Sequence, residues 1–507
     1  MGEKTEVISG PLKDLTYALS KAGMLLAGDI DETVLKGVDP SILAYELIEG
    51  SRSSEALHIV TRDELSAIIE RISAQKQPIK IEISRSAEYK PEAAEIDAIY
   101  KIRNRTAERT SGSVEGFVSY FRDRLEKMRA MLVQHTSSGQ PLQNLGYLQS
   151  YASGRDVYII GIVTRKVITK NNNILMELED EEDFAKVIFM NGTSKEAQEL
   201  YSNAGSIVND EVLAVRGKIS GPFVIANEIV WPDVPLKKRK EPEQDVGIAF
   251  LSDIHVGSKL FMEKSFAKMI KWLNGDCDSS QRKIAGSIKY LIISGDDADG
   301  IGIYPNQDRD LAVLDMYTQY KMLFDFLDAV PDYIHIFIMP GNHDAVQRAE
   351  PQPPLPEELI GDFKKDNVHI VSNPAYINVH GIEVLGYHGT SLDSIISAVP
   401  NNSYAKPEKA MVELLKRRHL SPIYGGNIIV PSKPDNLVID VVPDILHMGH
   451  IHKNGLSEYH GVKIINSGTW QGRTDFQIRQ GHIPTPCIMP VYMSADNSVR
   501  SIDFGQQ

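Results

Sequence analysis

Four times between residues 250 and 470, a short apolar run ends in a turn that carries metal-ligand side chains. The segments are FLSDIHVG with Asp253 and His255, LIISGDDADG with Asp296 and Asp299, FIMPGNHD with Asn342, His343 and Asp344, and HMGHIH with His450 and His452. Apolar runs of this length, bounded by turn residues, read as buried strands. Further strand-like runs, among them IEVLGY and VKIINS, alternate with helical stretches such as DLAVLDMYTQYKMLFDFLDAV and EKAMVELLKRR. That alternation restricts the region to an α/β layered fold, and such folds place their sites just past the carboxyl ends of the strands.

The ligand types narrow the chemistry. Carboxylate and amide oxygens suit hard cations, whereas imidazole suits borderline ones. A mixed Asp/Asn/His set therefore fits Mn²⁺, Fe²⁺ or Zn²⁺ better than Mg²⁺ alone. The order Asp-x-His, Gly-Asp-x-x-Asp, Gly-Asn-His-Asp, Gly-His-x-His reads as a site for two adjacent divalent metals that act on phosphate esters. Such a pair sits about 3.5–4 Å apart and needs a bridging carboxylate. Asp296, at the turn after a buried strand, is the expected bridge. Asp253 and His255 are two apart in what reads as extended chain, so they point the same way. The same holds for His450 and His452. Gly295, Gly341 and Gly449 let the backbone turn and approach the ions.

These ordered motifs resemble the calcineurin-like metallophosphoesterase superfamily. The resemblance implies that Asp253, His255, Asp296 and His452 hold one metal. It implies that Asp296, Asn342, one further histidine and His450 hold the other. It makes His343 a non-ligand that gives a proton to the leaving oxygen or steadies the phosphate, with Asp299 orienting it. Candidates for the further histidine are His369, His380, His388 and His419. His419, in LLKRRHLSP, is the expected one; His388, in GYHGT, also ends a strand and is the runner-up. His335, His447 and His460 read as structural, and Trp470 as packing rather than cleft lining.

The rest of the 507 residues divides into smaller units. Residues 1–75 read as a small helical domain. DLTYALSKAGMLLAG stops at Gly28, DPSILAYELIEG runs from Asp39-Pro40 to Gly50, and TRDELSAIIERISA carries a capping box of Thr61 and Glu64. Residues 76–145 read as linker and helix. The stretch 78–113 is polar and charge-mixed, as in a mobile linker. Val114, Phe117, Val118, Phe121, Leu125, Met128 and Leu132 then share one helical face, which is expected to pack on the next domain. Residues 146–240 give three strands, one helix and two strands, the order of an OB-fold barrel. Its few aromatics are Tyr158, Phe189, Phe223 and Trp231, whereas sequence-tolerant DNA binding uses stacking aromatics beside cations. Docking is thus favoured over DNA binding for this module. Pro232, Pro235 and the run Lys237-Lys238-Arg239-Lys240 mark the boundary to a C-terminal domain over 241–507. The expected class is multidomain α+β: helical domain, OB-fold barrel, and α/β calcineurin-like domain.

Charge and cysteine content bear on function. The net charge is −14, from 68 acidic and 54 basic residues, so the bulk field repels nucleic acid. A DNA contact needs a metal site, a local basic patch or a basic partner. Cys277 and Cys487 alone exclude a cysteine-built zinc site and a disulfide scaffold, and they suit a reducing cytoplasm. No apolar run is long enough to span a membrane, MGEKTEVISG lacks the apolar core of a signal peptide, and Glu6 argues against myristoylation.

The domain order resembles the small-subunit family of archaeal family D DNA polymerases, which is related to the B-subunits of eukaryotic replicative polymerases. The local matches are VWPDVP, LSDIHVGSK, GDDADGIGIYPNQ, LLKRRHLSPIYGG and NSGTWQGRTDFQ. In the eukaryotic relatives the ligands are degraded, whereas here every ligand type is intact. The resemblance implies a proofreading 3′→5′ exonuclease acting on a primer 3′ end, single-stranded or mismatched, with Mn²⁺ favoured. It also implies a large catalytic polymerase subunit as partner and the sliding clamp as a further contact. The ligands by themselves leave open a free-standing metallophosphatase or phosphodiesterase, and a non-catalytic scaffold.

Overall fold

The computed structural model describes residues 11–35, 40, 43–44, 47–48, 58–75, 81–83, 89–107, 112–134, 144–238, 242 and 244–505. Most of the helix expected over 39–50, together with Arg239 and Lys240, lies outside these residues.

The N-terminal unit is mixed rather than helical. Its first helix, Pro11–Lys21, ends earlier than expected because Gly23 turns into the left-handed region at φ 76°. The apolar residues that follow form a strand, β1 (Met24–Leu26), parallel to β2 (His58–Val60). The helix Arg62–Gln75 starts as its sequence predicts. Thr61 Oγ1 accepts from the Glu64 backbone N–H at 3.2 Å, and a Glu64 carboxylate oxygen lies 3.5 Å from the Thr61 nitrogen.

The stretch expected as a mobile linker contains ordered structure. Residues Tyr100–Asn104 form β3, which pairs antiparallel with β13 (Ala375–Val379) at the edge of a C-terminal sheet. The charged residues that suggested a linker have partners there: Arg105 is buried and bonds Asp440 at 2.8 Å. An edge strand needs few apolar residues, since one flank and one face meet water. The next helix, Val114–Gln134, wedges between domains. Leu125, Met128 and Leu132 pack against Tyr158, Ile160 and Val212 of the barrel and against Val438. The first turns of the expected apolar face stay open, with Val114 and Val118 exposed.

Five strands close the barrel: β4 (Asp156–Ile168), β5 (Ile174–Glu179), β6 (Phe184–Phe189), β7 (Val212–Ser220) and β8 (Phe223–Val230). The helix Lys195–Gly205 sits between β6 and β7. This is the OB-fold order. Tyr158, Phe189 and Trp231 are buried, so three of the four named aromatics serve packing. Arg417, on the helix Pro407–Arg417, pairs with the buried barrel residue Glu211 and donates to the Ser206 carbonyl at 2.6 Å.

Residues 245–505 together with β3 form two stacked six-stranded sheets. One holds β12 (Val368–Ile370), β11 (His335–Met339), β10 (Ile288–Ser294), β9 (Gly247–Leu251), β18 (Ile488–Met493) and β19 (Ser498–Asp503), in that order. The other holds β16 (Asn454–Tyr459), β17 (Val462–Ser467), β15 (Ile445–Met448), β14 (Ile382–Gly386), β13 and β3. β9, β10 and β11 are mutually parallel, as are β14, β15 and β17. Phe250, Ile292, Phe337, Ile377, Val384 and Ile465 fill the space between the sheets. The parallel strands of both sheets deliver their carboxyl-end loops to one place.

Candidate metal centre

Five loops converge there. Asp253 and His255 follow β9, Asp296 and Asp299 follow β10, and Asn342 and His343 follow β11. His388 follows β14, and His450 and His452 follow β15. Three overlapping groups can each offer ligand atoms within 4.8 Å of one another: Asp253, His255 and His452; His255, Asp296 and His343; Asp296, His388 and His450. His255 Nε2 faces His452 Nε2 at 3.1 Å, and Asp253 Oδ1 lies 3.3 Å from the same His452 nitrogen. Asp296 Oδ2 stands 3.3 Å from His388 Nε2 and 3.9 Å from His255 Nε2, between the two halves of the cluster. Asn342 Oδ1 is 2.9 Å from His388 Nε2.

The structure does not bring His419, the expected fourth histidine ligand, to this cluster. His419 is buried in a separate network, with both ring nitrogens occupied. Nδ1 accepts from the Ser421 N–H at 2.9 Å, and Nε2 meets Asp435 Oδ2 at 2.9 Å. Asp435 in turn bonds Arg124 of the interdomain helix at 3.0 Å. His388 takes the place at the cluster, as the strand-end position of GYHGT allows. His369 is also elsewhere, stacked on His335 at the end of β11. Trp470 is fully buried beside Phe266, and His447 is clamped between Ser294 and Ser467.

Asp299 also departs from its expected part. Its carboxylate holds His255, with Oδ1 at 2.8 Å from Nδ1, and lies 3.8 Å from His343. His343 is oriented instead by the Asp299 main-chain carbonyl, 2.8 Å from His343 Nδ1. That bond leaves His343 Nε2 for another partner.

The backbone explains the convergence better than an extended segment does. Asp253, His255, Asp296, His450 and His452 all have φ between 51° and 68°. Left-handed conformations at non-glycine residues carry strain and cluster at functional sites. Each kink turns a side chain inward instead of following the strand's alternation. A Cβ on Gly341 would collide with the Asp296 carboxylate and nitrogen, so only glycine lets the two loops touch.

Charge within the cluster is self-compensating. Burial disfavours a charged Asp296, but His388 and His343 beside it hold its carboxyl well below the usual range. Burial likewise opposes charge on Asp253, and His452 more than offsets this. Burial would neutralise His255 and His388, yet Asp299 raises His255 to about 9 and Asp296 raises His388 to about 10. These shifts mark a cluster of carboxylates that favours positive charge beside it. The buried oxygen and nitrogen donors grouped around the central Asp296 fit a metal site.

Known proteins match the same stretch of chain. The sequence family of the DNA polymerase alpha/epsilon B-subunit matches residues 248–454, the span from just before Asp253 to just after His452. The DNA polymerase II small subunit of Methanocaldococcus jannaschii is 42% identical over 431 residues, which cover 83% of this chain and 71% of that protein. That of Archaeoglobus fulgidus is 41% identical over 397 residues, 78% of each chain. That of Methanothermobacter thermautotrophicus is 35% identical over 486 residues, 95% of this chain and 98% of its own. The chain belongs to the family of archaeal DNA polymerase II small subunits.

Within this small subunit, several site residues carried no assigned role in the sequence. Asp344 accepts from the N–H groups of Gly341, Asp297 and Ala298 and from the Tyr320 hydroxyl, tying the β10 and β11 loops together. Gln471 donates to Asp299 at 3.1 Å, and Gln477 lies 2.8 Å from His452 Nδ1. Asp393 lies 3.0 Å from His450 Nε2. Such partners fix the rotamer of a ligand. Asp344 lies within the Gly-Asn-His-Asp motif and Gln471 and Gln477 within NSGTWQGRTDFQ, whereas Asp393, on the helix Leu392–Ala398, had no sequence signal. Among the described residues no helix is long and apolar enough to cross a membrane.

Proposed function

We propose that this small subunit is a 3′→5′ exonuclease that trims a DNA primer end, working beside a large catalytic polymerase subunit. The observation that carries the reading is the position of Asp296 Oδ2, within reach of both His388 and His255. Asp253, His255, Asp296 and His452 would hold one divalent ion. Asp296, Asn342, His388 and His450 would hold the other, with Mn²⁺ favoured by the mixed donors. Bound there, the ions supply Lewis-acid neutralisation of the phosphate's charge.

The chain's own groups do the rest. Asp299 and Gln477 keep the rings of His255 and His452 turned toward the centre. Hydrolysis forms a bond from water oxygen to phosphorus and breaks the bond from phosphorus to the 3′ oxygen of the upstream nucleotide. His343, anchored through Nδ1 and partly open to solvent, delivers a proton from Nε2 to that departing oxygen. The acidic balance of the chain suits a nuclease whose partner holds the duplex.

The test is digestion of a 5′-labelled single-stranded oligonucleotide, with and without Mn²⁺, with product lengths resolved. The expected result is a ladder shortening one nucleotide at a time from the 3′ end, only with metal. His343→Ala should slow it by about 10²–10⁴-fold at unchanged metal content. Cleavage of para-nitrophenyl phosphates but not of the oligonucleotide would favour a free-standing phosphatase. No hydrolysis of either would favour a scaffold.

A further inference from the structure

The loop after Asp299 forms one wall of the centre and has no part in the mechanism above. It carries Ile301 and Tyr304, both exposed large apolar residues, beside a site otherwise lined by charge. The Tyr304 ring is 36% exposed and lies 6.3 Å from the His343 ring, inclined at 61°. An exposed aromatic face at the edge of a polar site is available for a base to stack on.

The loop is fixed before any ligand arrives. Gln307 Oε1 accepts from the Ile303 N–H at 2.9 Å, and Gln307 Nε2 donates to the Asp299 carbonyl at 2.8 Å. That same carbonyl orients His343. The Tyr304 ring and the His343 imidazole are therefore set against one shared atom. The Tyr304 hydroxyl donates to Asp310 at 3.0 Å, which pins the far end of the ring. A platform held this way loses little conformational freedom on binding.

Cations also stand near this loop, among the acidic Asp299, Asp308 and Asp310. Arg348, exposed and five residues past His343, donates to the carbonyls of Gly302 and Ile303. Lys259 reaches the same loop, where it donates to the Arg309 carbonyl at 2.6 Å. An aromatic face with cations near it is the pairing that single-stranded nucleic acid uses, bases on the ring and phosphates on the charges.

Resting on the exonuclease reading, we propose that Tyr304 is the stacking platform for the base of the nucleotide immediately upstream of the scissile phosphate. That nucleotide carries the departing 3′ oxygen that His343 protonates, and Tyr304 is the aromatic beside His343. Stacking would hold the new primer end in line while the terminal nucleotide is cut away. It would also select a strand whose end is unpaired, since a paired base has neighbours on both faces. Tyr304 is a positioning and specificity residue, and it transfers no proton.

The experiment uses the full chain and two fluorescent single-stranded oligonucleotides, one normal and one abasic at the penultimate position. Binding is measured by anisotropy with Ca²⁺, and hydrolysis with Mn²⁺. Tyr304→Ala should weaken binding and raise KM for the normal strand by about 5- to 150-fold, from the loss of one base stack. Tyr304→Phe, which keeps the ring and loses only the Asp310 bond, should lose far less than Tyr304→Ala. The abasic strand should bind wild type and Tyr304→Ala alike, with metal content and thermal midpoint unchanged in the variant. Equal binding of the normal strand by wild type and Tyr304→Ala would overturn the proposal. So would an equal loss on the abasic strand, which would make the ring a loop brace. A wild-type chain that binds neither strand also overturns it. Base-dependent binding without any hydrolysis would leave the platform standing and sink the exonuclease reading instead.

Discussion

His388 and His419 are both buried imidazoles next to carboxylates, and their surroundings divide them. His388 points Nε2 at Asn342 Oδ1 and Asp296 Oδ2, where oxygen donors converge. His419 has given both nitrogens to a structural network, and burial together with Arg124 pushes it down to about 4, so it stays neutral. His388→Ala should therefore lose bound metal and activity. His419→Ala should keep its metal and lose stability, by about 1–3 kcal/mol for the partners left unpaired. Metal analysis and denaturant unfolding of the two variants check this, and metal loss in His419→Ala alone would reverse the assignment. The sequence held a pointer toward His388 in a rule applied to four motifs and not to the fifth. Each other ligand follows a buried strand, as His388 follows β14, whereas His419 follows the helix Pro407–Arg417.

At the scale of elements, the strands, the barrel and the carboxyl-end loops were legible because their apolar runs and glycines are local signals. The left-handed ligand positions were not, since a single-residue kink at Asp253 or His450 leaves no pattern in the residues around it. Nor was β3, whose KIRN composition suits an edge and equally suits a linker. The N-terminal strands failed for another reason: β1 is three residues long and its partner lies more than thirty residues away in the chain. The tight contact of loops gives a test of its own. Gly341→Ala should leave the sheets intact, with unchanged circular dichroism, and weaken metal binding, because the added methyl group displaces Asp296 and His388 together. Wild-type metal affinity in that variant would show that the loops are less tightly coupled than their contact suggests.

For the whole molecule, the interdomain helix and β3 set where the chain can be divided. Arg124 is fully buried and bonds Asp435 and the carbonyls of Asp210 and Pro422, so it touches the helix, the barrel and the C-terminal domain at once. Breaking such a pair costs about 3–5 kcal/mol. A fragment starting near residue 140 lacks both β3 and this helix. It should be insoluble or markedly less stable than one starting at residue 89. The longer fragment should fold and still co-purify with a large polymerase subunit, leaving residues 1–75 dispensable for that contact. Equal thermal midpoints for the two fragments would show that the helix is peripheral.

The central claim is that Asp296 joins two ions into one hydrolytic centre. It is tested most directly by counting Mn²⁺ per chain, alongside oligonucleotide hydrolysis, in wild type and Asp296→Ala. The account predicts two ions per wild-type chain, and in the variant a loss of both with no measurable hydrolysis. Full occupancy and retained cleavage in Asp296→Ala would contradict it.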